Sequence, residues 1–312
     1  MVKLLRLIPP NTHIPFLRWR RIFVGISVVA VIASIAIFAV RGLNFGIDFL
    51  GGTLIEVQTP GPADLGRMRS VLGGLGLGEV ALQEFGANND VLIRIARQPG
   101  GEKAQLKAVD TLKKSLAGMG DGAMDYRRVE FVGPKVSSEL VEAGIIAVVS
   151  AVVLMLLYIW FRFELQFGIG AVLALVHDVI LTIGVFSVSG LEFNLASIAA
   201  ILTIVGYSIN DTVVVYDRVR ENLRKYKTMP LMDLLELSVN ETLSRTTMTS
   251  LTTLLALFAL YFFGGAVIAG FTIAMIWGIV VGTYSSIFVA VALLLWFTPK
   301  RGGEAAVPAE TP

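Results

Sequence analysis

The chain has 312 residues, of which 55% are hydrophobic and only 16% are charged, and its mean hydropathy is +0.74. This composition is typical of an integral membrane protein and excludes an ordinary soluble domain. The chain has no cysteine, which excludes disulfides and thiolate chemistry, and two histidines argue against a multi-histidine metal site. A net charge of +2 says nothing by itself about partners.

The first apolar run covers residues 22–40, which is long enough to cross a hydrocarbon core of about 30 Å. Arg18, Arg20 and Arg21 precede it, as basic residues precede the core of a secretory signal. No small-residue cleavage site follows, so we predict an uncleaved first transmembrane helix after a cytoplasmic segment 1–21.

Residues 41–142 form the only sizeable polar region. Strand and helix patterns alternate within it in the order β-α-β-β-α-β, with a hairpin predicted around Ala87–Asp90, whose Asn and Asp residues favour turns. That order is the split βαβ, or ferredoxin-like, pattern. The sequence therefore predicts a polytopic α-helical membrane protein with six transmembrane helices and one α+β ferredoxin-like (βαββαβ) extracytoplasmic domain between spans 1 and 2.

Five further spans are predicted in the second half of the chain, with a cytoplasmic loop at 217–244 and a disordered cytoplasmic tail at 298–312. Their predicted limits are 143–161, 165–188, 193–216, 245–263 and 267–296. Lys and Arg residues precede span 1, lie between spans 2 and 3 and between spans 4 and 5, and follow span 6, whereas the other short loops have none. The positive-inside rule then places both termini in the cytoplasm and residues 41–142 outside.

Asp211 lies inside the apolar fourth span, and Arg245 begins the fifth span from the same side of the membrane. A charged group at the centre of a bilayer costs about 2.5–3.5 kcal/mol on insertion scales, which makes such residues functional candidates. Tyr207 and Ser208 share the helical face of Asp211. We predict that Asp211 and Arg245 meet and form part of a proton pathway; a static buried ion pair is the alternative.

The fifth span carries a row of hydroxyls at helical spacing, Thr242, Thr246, Thr249 and Thr253. Together with Arg245 the row indicates a polar path, although threonines also join helices by hydrogen bonds. His177-Asp178 in the third span is a candidate proton relay or a hydrogen-bonded packing pair.

The segment NFGIDFLGG, residues 44–52, joins span 1 to the outer domain. We interpret it as a structural elbow that includes Gly46, Asp48, Gly51 and Gly52, in preference to a binding loop. No nucleotide motif, metal cluster or catalytic pair on the spans is found, so an enzyme is not predicted.

With these segments in place, the chain resembles the SecD/SecF family of bacterial export proteins, as its smaller subunit, over nearly its whole length. The resemblance depends on GYSINDTVVVYDRVREN (206–222), SRTTMTSLTTLL (244–255) and NFGIDFLGG. Leu50 stands where the family usually has Thr, which weakens any chemical role for that side chain.

The resemblance implies membership of the resistance-nodulation-division superfamily and a location in the bacterial plasma membrane. It also implies SecD as partner, association with the SecYEG channel and YajC, a functional link to SecA, and exported unfolded preproteins as cargo, with no nucleic acid. The proton-motive force would drive late steps of export without a cofactor, and Asp211 and Arg245 match the family's proton-pathway positions. Two alternatives stay open: a proton-coupled exporter of small molecules or lipids, and a passive scaffold for SecD.

Overall fold

The computed structural model describes residues 9, 12–78, 80–119, 123–297 and 299. Six helices in this part of the chain are long and apolar enough to cross a membrane, which confirms a polytopic helical membrane protein. The predicted tail at 298–312 lies, apart from residue 299, outside the described residues, as does most of the segment before Thr12. The long helices are α1 (Arg20–Arg41), α5 (Pro134–Arg162), α6 (Leu165–Ser189), α7 (Leu195–Lys225), α8 (Leu231–Phe263) and α9 (Ala269–Ser285).

The last span is interrupted. After α9 the chain forms a π-helical turn, Ser286–Ala290, and then a short helix α10, Val291–Leu293. The sequence predicts one span at 267–296 because neither a proline nor a charged residue divides this segment.

Three helices extend beyond the predicted spans, and α7 continues to Lys225 instead of ending at residue 216. α5 begins at Pro134 instead of residue 143, because its first turns carry charged residues that lower hydropathy without opposing a helix. α8 begins at Leu231, so most of the predicted loop 217–244 is helical. Leu234 and Leu235 are fully buried there, and Asn222 of α7 donates to Ser238 (3.0 Å). The start of α8 is thus an amphipathic helix held by tertiary packing.

The bundle has a centre and a periphery. The apolar stretches of α6, α7 and α9 are mostly buried, whereas those of α1, α5 and α8 are mostly exposed. Close approach within the centre depends on small residues: a Cβ at Gly278 of α9 would collide with Ile204 of α7. A single chain therefore leaves three long apolar helices largely uncovered.

The inserted domain, residues 44–132, lies between α1 and α5. After β1 (Asn44–Phe45) and the short α2 (Ile47–Leu50) its elements are β2 (Gly52–Gln58), α3 (Leu65–Gly73), β3 (Val80–Phe85), β4 (Ala87–Ile95), α4 (Gly101–Ala117) and β5 (Asp125–Val132). Strands β2 to β5 form one antiparallel sheet in the order β3-β4-β2-β5. One face of the sheet packs on α3 and α4 through a core that includes Ile55, Ile93, Leu72 and Leu112.

The turn of the hairpin lies immediately before the residues that the sequence predicts for it. Gly86, at φ +84°, makes the turn between β3 and β4, so the predicted turn residues Asn88 and Asn89 lie in β4. Their carbonyl groups accept hydrogen bonds from the backbone N–H groups of Ala63 and Thr59. The side-chain amide of Asn89 also donates to the carbonyl group of Thr59 (3.3 Å), so this end of β4 contacts the β2–α3 loop.

Candidate functional site

Asp211 is buried, with 7% of its surface exposed, and lies where three helices meet. Thr246 of α8 donates to its Oδ1 (2.6 Å), and Ser286, the first residue of the π-helical turn, donates to its Oδ2. A capping box of Asn194 and Ser197 fixes the start of α7 and hence the face on which Asp211 lies. Each oxygen of the carboxylate thus accepts from one hydroxyl group.

A second carboxylate lies in the same bundle. Asp178 of α6 is fully buried, and its Oδ2 accepts from Ser208 of α7 (2.5 Å) and Ser285 of α9 (2.7 Å). Its Oδ1 is 2.8 Å from Nδ1 of His177. Ser285 and Ser286 are neighbours in the chain, yet each binds a different acid. Two hydrogen-bonded clusters, one around each acid, thus join α6, α7, α8 and α9 inside the apolar bundle.

The π-helical turn places the two serines. A π-helical turn inserts an extra residue into a helix and frees carbonyl groups, and such turns are frequent at functional sites. Tyr216 of α7, itself fully buried, donates to the carbonyl group of Ala290 (2.9 Å) at the end of the turn. The distortion is therefore supported by α7, the helix that carries Asp211.

Arg245 does not pair with Asp211. Within the described part of the chain no ion pair joins the two, and Arg245 is exposed on the outer surface of α8. The side chain of its neighbour Thr246 points into the bundle. Because successive side chains of a helix are rotated by about 100° around its axis, Arg245 points outward. Arg245 still lies near enough to act on the carboxylate electrostatically. The expected contact is replaced by hydroxyl donors.

The other hydroxyls divide into two groups. Thr249 and Thr253 donate to carbonyl groups of their own helix and take no part in the Asp211 network. Tyr207 instead donates to Ser250 of α8 (3.4 Å), which bonds Thr283 of α9 (2.7 Å).

Sequence reasoning missed Ser250, Thr283, Ser285 and Ser286. The available signal was the run Thr283-Tyr284-Ser285-Ser286, a polar interruption in the last apolar span.

The elbow contacts the bundle as well as the inserted domain. β1 pairs in parallel with β6 (Glu192–Phe193), which directly precedes α7. Asp48 accepts a hydrogen bond from the backbone N–H of Leu195 (3.0 Å), the first residue of α7. A carboxylate at a helix N-terminus also interacts favourably with the helix dipole. Arg94 of β4 donates to Asn44 (3.0 Å) and to the carbonyl group of Phe45, so the sheet is joined to the elbow.

Two elbow glycines lie where a side chain does not fit. A Cβ at Gly46 would collide with the carboxylate of Glu192. Gly52 has a φ of +122°, and its Cβ would collide with the carbonyl oxygen of Ile95. Gly51, at φ +69°, precedes it. The segment is consequently specific for glycine on both conformational and steric grounds.

Glu192, which lies in β6 against Gly46, provides a pH-dependent test of the contact between the elbow and the bundle. Burial raises the pKa of its carboxyl above the ordinary value; Arg94 lowers that pKa, and the charges of Asp48 and Glu130 raise it. The folded protein thus keeps this proton at pH values where the unfolded chain has lost it, so ionisation of Glu192 destabilises the fold. This loss of stability is complete at pH values above the pKa of Glu192 in the folded protein and absent at pH values below the ordinary glutamate pKa.

We therefore expect Glu192→Gln to raise the thermal unfolding temperature at neutral pH, with the gain disappearing as the pH falls below the ordinary glutamate value. Calorimetry of both proteins in detergent at a series of pH values measures the difference. Glu84→Gln, at an exposed position on β3, is the control and should show no such trend. An equal effect of both substitutions at every pH would contradict the assignment.

The site's ionisable side chains are few and dispersed. Across the described ranges no group of three or more His, Cys, Asp or Glu side chains could hold a metal ion. Fold and site together define a polytopic membrane protein with buried carboxylates in a hydroxyl-lined bundle and one inserted α+β domain.

Comparison with known proteins gives the family. The profile "Protein export membrane protein SecD/SecF, C-terminal" matches residues 111–300, and "SecD/SecF GG Motif" matches residues 36–59. The chain is 46% identical over 297 residues to "Protein translocase subunit SecF" of Rickettsia akari, covering 95% of this chain and 96% of that one. It is 48% identical over 318 residues to the protein of the same name in Rhodobacter capsulatus, covering 98% and 95%. The chain belongs to the SecD/SecF family.

Solved structures agree. SecDF from Thermus thermophilus, described as a translocon-associated membrane protein, superposes with a TM-score of 0.83 at 34% identity and covers 94% of this chain. A SecDF structure in a super-membrane-facing form gives 0.64 at 32% identity and covers 95%. The chain spans only 40% of the length of each of these SecDF chains.

Proposed function

We propose that the chain is a SecF-like subunit of the protein-export machinery that uses the proton-motive force, together with SecD, to promote late steps of preprotein translocation through SecYEG. The observation that carries this proposal is the buried, hydroxyl-bound Asp211 on a central helix of a SecD/SecF family member. YajC and SecA are further partners on grounds of family alone. The driving force is the proton gradient, without a bound cofactor.

Asp211 is the proton carrier in this proposal. As a carboxylate it accepts from Thr246 and Ser286; once protonated it must itself donate at one oxygen, so one of those hydroxyls has to turn or withdraw. The two hydroxyls belong to α8 and α9, so loading a proton changes how those helices pack on α7. A membrane potential of 100 mV supplies about 2.3 kcal/mol per charge moved, enough to bias such a rearrangement.

SecD is the partner that covers the exposed side of α8. Arg245, Thr249 and Thr252 are exposed there in the single chain, and a guanidinium facing lipid is costly. This chain matches 40% of the length of the solved SecDF chain. We propose that SecD packs on this face and shields Arg245.

Replacing Arg245 tests this arrangement. We expect Arg245→Ala to abolish proton conduction by the reconstituted pair while SecD still co-purifies, and Arg245→Lys to retain part of it because the charge remains. Arg224→Ala, an exposed arginine near the end of α7, is the matched control and should conduct normally. Normal conduction by Arg245→Ala would remove Arg245 from the pathway.

We further propose that both termini are cytoplasmic in a bacterial inner membrane. Basic residues at the C-terminal end of α5 (Arg162), at the C-terminal end of α7 (Arg218, Arg220, Arg224 and Lys225) and between α7 and α8 (Lys227) support that orientation. The inserted domain is then extracytoplasmic, and the order β3-β4-β2-β5 with two helices on one face supports the ferredoxin-like assignment. Cysteine labelling with an impermeant reagent at Gly61, in the inserted domain, and at Thr228, between α7 and α8, tests the orientation.

A proton-coupled exporter of lipids or small apolar molecules is the second candidate. An apolar cleft of about 560 Å³ opens between α5, α6, α7 and the elbow, and Phe49, Ile145 and Ile183 line it. A passive scaffold for SecD is the third. Proton flux in vesicles with the SecD pair separates them: flux coupled to export of an unfolded preprotein supports the main proposal, flux coupled to lipid supports the second, and no flux supports the scaffold.

A further inference from the structure

Asp178 and His177 form a buried pair that the Asp211 mechanism does not use. Asp178 is fully buried and His177 is 6% exposed, with 2.8 Å between His177 Nδ1 and Asp178 Oδ1. Nε2 of the same imidazole is buried and, within the described part of the chain, has no hydrogen-bond partner. Buried polar atoms without a partner are rare in folded proteins and call for an explanation. A role of Nε2 as a proton acceptor supplies that explanation.

The proton balance of the pair is simple. A carboxylate only accepts, so Nδ1 donates to Asp178 and the lone pair lies on Nε2, which gives the pair a charge of −1. One proton taken up at Nε2 makes an imidazolium beside the carboxylate, and the pair becomes neutral. No other reactant is needed. In an apolar bundle a neutral pair avoids the cost of an uncompensated buried charge.

Among the described residues no Lys or Arg forms an ion pair with His177 or Asp178. The titratable groups within the spans of α7 and α9 include Asp211, Tyr207 and Tyr284; the Tyr284 ring lies 6.2 Å from the His177 ring between centroids, and its hydroxyl group bonds Ser27 of α1 (2.9 Å). In the described ranges the only ion pair of Asp178 is with His177. Titratable groups on the remaining neighbours of α6 lie away from the pair, near helix ends or on outward faces: Arg20, Arg21, Arg41, Lys135, Glu139, Glu142, Tyr158 and Arg162.

Two chain segments carry groups of both acids, and each of their hydroxyl groups binds one acid. Ser208, which donates to Asp178, is three residues before Asp211 on the same face of α7. Ser285 donates to Asp178 while the next residue, Ser286, donates to Asp211. Hydroxyl groups donate and accept and can rotate, so a change of charge at one acid alters the hydrogen bonds available to the other.

We propose that Asp178 and His177 constitute a second proton-binding site, coupled to Asp211 through Ser208 and the Ser285–Ser286 pair. This inference deepens the proposed proton-driven function and rests on it. It assigns two loading positions to the bundle of this one chain.

Infrared difference spectroscopy of the full chain reconstituted with SecD tests the proposal, because it detects each group's protonation without relying on export. Titrating the pH should reveal two events, a carboxyl band that Asp211→Asn removes and a second that depends on the pair. Asp178→Asn should eliminate the second event and move the midpoint of the Asp211 band by about one pH unit. His177→Asn keeps a donor amide toward Asp178 but cannot take up the proton, so it should eliminate the imidazolium signal.

Thr182→Val is the matched control, because the Thr182 hydroxyl is buried on the same helix and bonds only the backbone carbonyl of Asp178. It should leave both events unchanged. A wild-type titration with the Asp211 event alone, or Asp178→Asn and His177→Asn spectra equal to wild type, would overturn the proposal. Two events without any transmembrane proton flux would instead support the second site and contradict the proposed transport function.

Discussion

Asp211→Asn is expected to reduce proton conduction by the reconstituted pair with SecD to the level of protein-free vesicles and to abolish export stimulated by the proton-motive force. Asparagine keeps the size of the side chain and still accepts from Thr246 or Ser286, so the helices should stay packed. It cannot bind and release a proton in this range. The measurements are proton flux, preprotein export with and without a gradient, and co-purification of SecD.

Asp217→Asn provides the control for this substitution. Asp217 lies on the same helix six residues later and pairs with Arg162 (2.6 Å), partly exposed to solvent. We expect normal proton flux from it, because surface ion pairs contribute little. Normal flux and normal gradient-dependent export by Asp211→Asn, at wild-type amounts of protein, would contradict the role of Asp211.

Gly52→Ala is expected to disrupt the inserted domain more than any other single methyl group added to the elbow. The φ of +122° is unfavourable for alanine, and the new Cβ would meet the backbone carbonyl of Ile95, which cannot move without breaking the β2–β4 pairing. Backbone strain of this kind costs about 1–3 kcal/mol before the collision is counted. Limited proteolysis and hydrogen exchange of the full chain should show the sheet opening.

Gly61→Ala is the matched control in the same domain. A Cβ at Gly61 meets nothing within 4 Å, and its backbone conformation does not require glycine. The two proteins differ from wild type by the same single methyl group. Equal protection of β2 and β4 in both would show that Gly52 does not constrain the sheet.

Local patterns in the sequence were sufficient for most of the fold. The six spans follow from runs of apolar residues, and the strands and helices of the inserted domain follow from their periodicity. The full lengths of α5 and α8 could not be predicted in this way. Their charged or amphipathic turns are helical because of packing and ion pairs, which hydropathy does not measure. The Gly86 turn was missed because the adjacent Asn-Asn-Asp run has the stronger turn propensity.

The two buried acids of the site could be predicted from the sequence, whereas most of the residues that hydrogen-bond to them could not. Asp211 and Asp178 are conspicuous because each interrupts an apolar run. The direction of Arg245 depends on helix rotation, which a sequence pattern fixes only to within a residue or so, and here that residue decides between bundle and surface. Ser285 and Ser286 are placed by a π-helical turn, and the Tyr216 bond to Ala290 that supports this turn joins residues 74 positions apart.

The elbow has a mechanical consequence. The inserted domain is connected covalently to the bundle at α1 and at α5, and a domain held only by two chain crossings could turn about the line between them. Asp48 and β1 add an attachment to the first residue of α7 and to the strand before it. The N-terminal end of α7, the helix that carries Asp211, is therefore a third attachment point of the domain. A displacement of that end would rotate the sheet relative to α1 and α5.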